Sequence, residues 1–493
     1  MSENGEPESG SGRIMRVMPL DPDTCYRALR SRDTRFDGRF FVAVSSTRIY
    51  CRPVCTVKVP KRENCKFFPS AAAAEDAGYR PCLRCRPELA PGNSSVDAVQ
   101  RTAQAAANLI EDQQLDSVSV NAIAAKLGIT DRHLRRVFQS EFGVAPIAFA
   151  QTQRLLLAKR LLTDTALPLT QIAFASGFGS VRRFNHLFRE RYRLQPGDLR
   201  KRARADTLGT LIFELSYRPP YDWAAMLAFL ATRSIAGVEA VEDNTYRRTV
   251  KTTRGEQHYS GWIEVTSVQR KHALRVTLSA SLASVVPWVL ARVKCLLDLS
   301  CQPEQIAASL GELAKDNPGI RVPGAFDGFE MTVRAVLGQQ ITVAAARTLA
   351  GRVAANYGEA LHTPFAALTH TFPGPEVLAA ASAEDLGRLG IIRTRVRTIQ
   401  ALASAIRDGE LALTPGVNVE TTLEKLRTLP GIGEWTAQYI AMRALAWPDA
   451  FPHTDLGVIK ALGVRLPAQV LAAAQAWRPW RSYAVMHLWR TLK

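Results

Sequence analysis

The sequence has 493 residues, 47% of them hydrophobic, with moderate Gly (31) and Pro (27). That is too long for one ordinary core and too apolar for a disordered chain, so several globular domains are expected. The net charge of +18, with most of the surplus before residue 207, points to a polyanionic partner and foremost to nucleic acid.

No run approaches 18 apolar residues and no secretory h-region is present, which predicts a cytoplasmic protein with no membrane partner. In that reducing setting eight cysteines do not form a disulfide framework. Residues 1–18 read as a polar, disordered tail. Residues 19–90 mix short strand-like runs such as FFVAVSST with Arg-Pro turns, and the linker APGNSS follows. Residues 96–204 read as helices throughout. Residues 207–310 change character: LIFELSY, TYRRTVKT, HYSGWIEVTSV and ALRVTLSA alternate like strands, while DWAAMLAFLATR and SVVPWVLARVKCLL read as helices. Residues 316–493 return to helices divided by Gly-Pro punctuation. The expected fold class is multidomain and mainly α with an α+β part.

Six of the eight cysteines fall in the first segment. Cys51 and Cys55 form C-x3-C, and Cys82 and Cys85 form C-x2-C. Such spacings let two thiolates from one turn grip one side of a tetrahedral Zn²⁺. Cys25 and Cys65 lack close partners and read as small buried residues; Cys295 and Cys301 lie on or beside an apolar helix. Four thiolates on Zn²⁺ carry net charge −2 and stay electron-rich, with Arg48, Arg52, Arg80, Arg84 and Arg86 positioned to approach a phosphate backbone. Spacing alone favours a structural staple over a reacting thiolate. "FFVAVSSTRIYCRPVC" with "GYRPCLRCRPE" resembles the zinc-binding, methyl-accepting domain of Ada adaptive-response proteins across nearly all of residues 20–90. The resemblance implies that Cys51 accepts a methyl group from a DNA methylphosphotriester while the other three cysteines serve only as ligands.

"SVSVNAIAAKLGITDRHLRRVFQSEFG" reads as helix, turn at Gly128, helix. "LPLTQIAFASGFGSVRRFNHLFRERY" repeats the pattern, with Thr170 expected as N-cap and Gly177 in the turn. Each second helix pairs an apolar face with a basic one, carrying Arg132 and Arg135 in the first and Arg182, Arg183 and Arg189 in the second. This favours major-groove recognition over a merely solvated face. The segment resembles the AraC-type tandem helix-turn-helix domain. It departs from it at Arg193, where glycine is common, which puts the end of that helix under strain or a different cap.

"LRTLPGIGEWTAQYIAMRALAW" reads as helix, tight turn through Gly431 and Gly433, helix, with N–H groups available to a DNA phosphate. Taken bare, it is an ordinary helical hairpin. Asp455, at the start of another apolar helix twenty residues past Trp435, tips the reading. Residues 207–493 resemble the AlkA branch of the helix-hairpin-helix DNA glycosylases, with an α+β domain over 207–310 and the glycosylase domain over 316–493. The resemblance implies that Asp455 is catalytic and that Trp435, Tyr439 and Trp489 line the base pocket. It also places Trp435 where strand-cutting relatives carry lysine, so a monofunctional enzyme is expected. The residue wedged into the gap left by the flipped base falls at Gln340, with Ile341 as the other candidate.

Together these resemblances imply an Ada–AlkA fusion: methyl acceptor, transcriptional activator and 3-methyladenine-type glycosylase. No PCHR motif of an O6-alkylguanine methyltransferase is present. The implied partners are double-stranded DNA, both alkylated and promoter DNA, and RNA polymerase, for a nucleoid-associated monomer. The rival reading is a zinc-stabilised transcription factor with a degenerate glycosylase fold; Asp455 and the aromatic set argue against it, Gln340 for it.

Overall fold

A computed structural model describes residues 21–92, 98–112, 119–200, 209–464 and 466–492. The expected tail 1–18 and the end of the APGNSS linker lie outside them. Among the described residues no single helix is long and apolar enough to cross a membrane.

The cysteine-rich segment forms a four-stranded sheet in the order Cys65–Phe68, Phe41–Val44, Ile49–Cys51, Arg80–Pro81. The last two strands run parallel with Tyr50 opposite Pro81, so the chain delivers Cys51 and Cys82 side by side. Cys25 and Cys65 are buried, as expected of small apolar residues.

Two helix-turn-helix units follow. Helices Val120–Lys126 and Asp131–Phe142 flank Gly128 (φ 66°), and Leu169–Ala175 and Val181–Tyr192 flank Gly177 (φ 77°). Helix Pro146–Asp164 joins them. Ser119, Thr130 and Ser180 cap three of these helices through their hydroxyls. Thr170 does not act as the fourth cap. It lies inside Leu169–Ala175, whose N-cap is Pro168; proline has no N–H to satisfy and suits a helix start, so the helix begins earlier than Thr170. Arg193 takes the left-handed conformation (φ 53°) that Gly143 takes in the first unit (φ 73°), and its N–H still bonds Arg189 O at 2.8 Å. A non-glycine residue pays about 1–2 kcal/mol for that conformation.

Strands Thr210–Ser216, Ala273–Ser279, Gln257–Val268, Thr245–Arg254 and Glu239–Glu242 then form an antiparallel sheet in that order. Four of the five were legible as alternating runs. The short edge strand Glu239–Glu242 was not, because four residues carry too little period-2 signal. Helices from Gly328 onward form the last body.

The segments are not beads on a string. One continuous apolar core joins the second helix-turn-helix unit (Phe184, Phe188, Leu199) to the sheet behind it (Phe213, Val276, Leu278). The first unit's core takes in Ala72 and Ala73 of the zinc module. Buried Lys159 pairs with Glu88 at 2.6 Å, and buried Arg218 donates to Gly92 O at 2.7 Å, so part of the expected linker is pinned.

Glu75, 3% exposed, accepts hydrogen bonds from Tyr50, Thr152 and Tyr192. Burial pushes its carboxyl up to about 7 despite these donors. The ionised form is therefore penalised in the folded protein. This contribution to stability is full below the unfolded carboxyl value and is lost as pH rises toward 7, a change on the order of 3 kcal/mol at ~1.4 kcal/mol per unit. In urea titrations at saturating zinc, Glu75→Gln should gain on the parent between pH 5 and pH 7. Parallel pH profiles would contradict the assignment.

Candidate metal centre and base pocket

The four Sγ atoms of Cys51, Cys55, Cys82 and Cys85 lie within 4.8 Å of one another. A tetrahedral Zn²⁺ with Zn–S near 2.3 Å requires sulfurs that close. Sulfur-to-sulfur hydrogen bonds push Cys51 and Cys85 up and hold Cys82 and Cys55 down, an unequal sharing of protons that a central divalent cation removes. The donor set fits Zn²⁺.

The backbone treats the four sulfurs differently. Arg52 N–H is directed at Cys85 Sγ and Arg84 N–H at Cys82 Sγ, both at 3.4 Å. Among the described residues no backbone N–H is directed at Cys51 Sγ. Two of the five expected phosphate-facing arginines are turned inward. Arg52 is buried on Asp37, and Arg86 bonds Asp164 and Glu88. All three carboxylates are close at hand and largely desolvated, so they outcompete solvent for the guanidinium groups. Arg48 and Arg84 remain exposed.

On the helix-turn-helix units Arg132, Arg135, Arg182, Arg183 and Arg189 are all exposed, while Leu134, Phe138, Phe184 and Phe188 are buried. The apolar and basic faces divide as the sequence predicts.

The hairpin joins Val419–Thr428 to Glu434–Arg443. Gly431 has φ 79°, and a Cβ there would lie 2.3 Å from Thr398 Oγ1. Helix Glu434–Arg443 sends Trp435 and Tyr439 toward Asp455, their rings stacked at 5.2 Å and 7°. Asp455 N-caps Leu456–Leu462 by accepting Val458 N–H at 3.0 Å. Its two oxygens also accept the indole N–H of Trp435 at 2.8 Å and of Trp489 at 2.9 Å. Four residues separated by up to 54 positions thus converge. Gly457 permits it: a Cβ there would sit 3.0 Å from Asp455 Oδ1 and 3.1 Å from the Trp489 ring.

These residues open onto a cavity of about 530 Å³ that also exposes Phe229, Ile341 and Arg443. The loop carrying Gln340 is bolted to the hairpin: Gln339 Nε2 donates to Gly431 O at 2.8 Å and to Thr436 Oγ1 at 3.0 Å, and Arg395 donates to Gln339 O. Gln340 is exposed at the tip with φ 55°, whereas Ile341 packs against the core.

Sequence reasoning missed the arginines beneath the aromatics. Buried Arg443 donates to Tyr439 Oη at 2.8 Å and to Gly324 O at 3.2 Å, and lies 4.8 Å from the Phe229 ring. Burial pushes the Tyr439 phenol up, but Arg443, Arg233 and Arg334 outweigh it and leave it below the ordinary tyrosine value. Arg334 is itself neutralised by Glu239 at 2.8 Å and Glu330 at 3.1 Å. The i,i+4 spacing of Tyr439 and Arg443 on one helix was the available signal for the first of these contacts.

Family models match in four places: the metal binding domain of Ada over 24–88, a helix-turn-helix domain over 123–202, the AlkA N-terminal domain over 212–327, and the HhH-GPD superfamily base excision DNA repair protein over 333–464. A Mycobacterium tuberculosis protein described as a probable bifunctional transcriptional activator/DNA repair enzyme AlkA is 40% identical over 489 residues, 96% of this chain and 97% of its own. This chain belongs to that family. Its C-terminal part is also 40% identical over 280 residues to DNA-3-methyladenine glycosylase 2 of Escherichia coli, covering 57% of this chain and 97% of the relative. Its N-terminal part is 28% identical over 205 residues to the bifunctional transcriptional activator/DNA repair enzyme AdaA of Bacillus subtilis, covering 41% and 94%.

Replacing one ligand leaves three thiolates and an open position. Cys85→Ala should bind zinc measurably more weakly and lose the fold of the N-terminal module on chelation at lower chelator concentration than the parent. Metal analysis after dialysis checks this; full retention would contradict the four-sulfur site.

Proposed function

We propose that the chain repairs alkylated DNA in two ways and regulates transcription in response. The observation that carries the glycosylase reading is the Asp455 carboxylate, fixed by two indole N–H groups at the mouth of an aromatic cavity. A damaged purine must leave the duplex stack to be reached, at a cost of a few kcal/mol. Gln340, exposed at the tip of a loop bolted to the hairpin, fills the vacated place. Gly431 and Gly433 let the backbone N–H groups of Glu434–Arg443 approach a phosphate.

An alkylated purine such as 3-methyladenine is cationic and binds against the faces of Trp435, Tyr439 and Trp489. Its N-glycosidic bond breaks with the electron pair leaving on the base, and Asp455 stabilises the positive charge that develops on the sugar. Water adds at the sugar carbon, leaving an intact abasic strand. Trp435 offers no amine, so no Schiff base forms and the enzyme is monofunctional.

In the N-terminal half Cys51 is the methyl acceptor. Bound zinc keeps the four sulfurs deprotonated at neutral pH. N–H···S hydrogen bonds draw charge from Cys82 and Cys85 and none is directed at Cys51, which leaves Cys51 more electron-rich than either. Its sulfur attacks the methyl carbon of a phosphotriester; the C–O bond breaks and the phosphodiester leaves. The new thioether removes one negative charge facing DNA, where Arg48 and Arg84 contact phosphate, and so strengthens binding. Arg132, Arg135, Arg182, Arg183 and Arg189 read promoter DNA, and RNA polymerase is the partner an activator requires.

Asp455→Asn should lose on the order of a thousandfold in the rate of 3-methyladenine release, ~4 kcal/mol of transition-state stabilisation, with little change in DNA affinity. Single-turnover release from a defined duplex measures it. Release at the parent rate, or a borohydride-trapped DNA adduct with the parent, would contradict the mechanism.

A further inference from the structure

Helix Ala71–Asp76 of the zinc module touches the last residue of both second helices of the helix-turn-helix units. At its start, Ser70 caps it through Ala73 N–H at 3.0 Å and donates its own hydroxyl to Phe142 O at 2.6 Å. Near its end, Glu75 Oε1 accepts Tyr192 O–H at 3.0 Å. Phe142 and Tyr192 occupy the same place in the two repeats. Each is the final residue of a 12-residue helix, and each is followed by a left-handed residue, Gly143 or Arg193. A six-residue helix of the zinc module thus holds the two repeats at equivalent points.

The same helix is tied to the metal centre. Glu75 Oε1 accepts Tyr50 O–H at 2.9 Å, and Tyr50 O accepts Cys82 N–H at 3.0 Å. Tyr50 immediately precedes Cys51. Glu75 Oε2 reaches the connecting helix through Thr152 at 3.1 Å, and Arg191 donates to Glu75 O at 3.4 Å. Packing agrees with the hydrogen bonds. Ala72 and Ala73 enter the core of the first repeat, and a Cβ at Gly143 would lie 3.2 Å from Ala73 Cβ. Ser70 and Glu75 are 6% and 3% exposed, so water does not replace these partners.

Connecting helix Pro146–Asp164 already packs on both recognition helices, with Phe149 against Phe138 and Phe142 and with Leu155 and Leu161 in one core with Phe184 and Phe188, and the zinc-module helix adds a second tie at the last residue of each. We propose that Ser70 and Glu75 are positioning residues for sequence recognition: through them the zinc module locks the separation and helical phase of the two recognition helices. The DNA that fits is a duplex with two successive major-groove segments at a single spacing, and Cys51 keeps a constant place relative to both. The inference rests on the helix-turn-helix units reading DNA and not on methyl transfer by Cys51.

The test uses the full-length, zinc-loaded protein and a duplex selected from a random-sequence pool for tight binding. Two or five base pairs are then inserted between its two protected segments. The parent should lose about tenfold or more in affinity on insertion. Glu75→Ala, Ser70→Ala and Tyr192→Phe should each retain non-specific binding but show an insertion penalty reduced to a few-fold. Glu75→Gln, which keeps the acceptor oxygen, should retain most of it. The penalty is a ratio of affinities for one preparation, so a general loss of folded protein does not move it. Should Glu75→Ala fail to fold, Tyr192→Phe, which keeps the ring, decides. Variants that keep the full parental penalty overturn the inference. A parent that binds every duplex alike overturns the DNA-reading assignment, and the inference with it.

Discussion

An aspartate gripped by two indoles sets the geometry of the catalytic half. Asp455 closes a helix N-terminus and holds Trp435 and Trp489, so the hairpin, helix Leu456–Leu462 and helix Arg481–Arg490 are fixed by one carboxylate. The same bonds aim the aromatic faces at the cavity and leave the carboxylate at its mouth. Stability and the proposed chemistry therefore draw on one group. In the proposed mechanism, removing it loosens the pocket walls and also takes away the charge that stabilises the developing oxocarbenium ion. Arg443 places a buried cation against Tyr439 and Phe229 in the same cavity.

The methyl transfer proposed for the N-terminal half poses a different problem, namely choosing one of four zinc-site sulfurs. Ligand spacing alone gives no preference, since a Cys₄ zinc site is usually a staple. Backbone N–H groups at Cys82 and Cys85 set those two sulfurs apart from Cys51. The inward turn of Arg52 and Arg86 takes two of the five expected cations away from a DNA-facing surface, because those guanidinium groups serve the module's own packing against Asp37, Glu88 and Asp164.

Much of this was legible in the sequence where the signal is local. The cysteine spacing, the longer strands, the glycine turns and the split between apolar and basic helix faces all depend on neighbours within a few positions. Asp455 and its aromatic companions were legible only through resemblance, since no periodicity links Trp435 to Trp489. What escaped was tertiary. Nothing in residues 71–76 marks Glu75 as a partner of Tyr192, and beyond its i,i+4 spacing from Tyr439 nothing around Arg443 places it in the pocket. The Thr170 cap failed because a nearby proline offered an earlier start, a competition that propensity alone does not rank. The shared core of the second repeat and the sheet was likewise invisible, because both contributors read as complete amphipathic elements.

The central claim is that one chain carries two separate chemistries, one consumed in acting and one that turns over. Full-length protein incubated with excess methylated duplex DNA tests it directly, with the intact protein mass and the free bases followed together. The account predicts that the protein gains a single methyl group, mapped to Cys51, and then stops, while 3-methyladenine continues to accumulate over many equivalents. A methyl group that is never acquired at Cys51, or base release that ends at one equivalent, would contradict it.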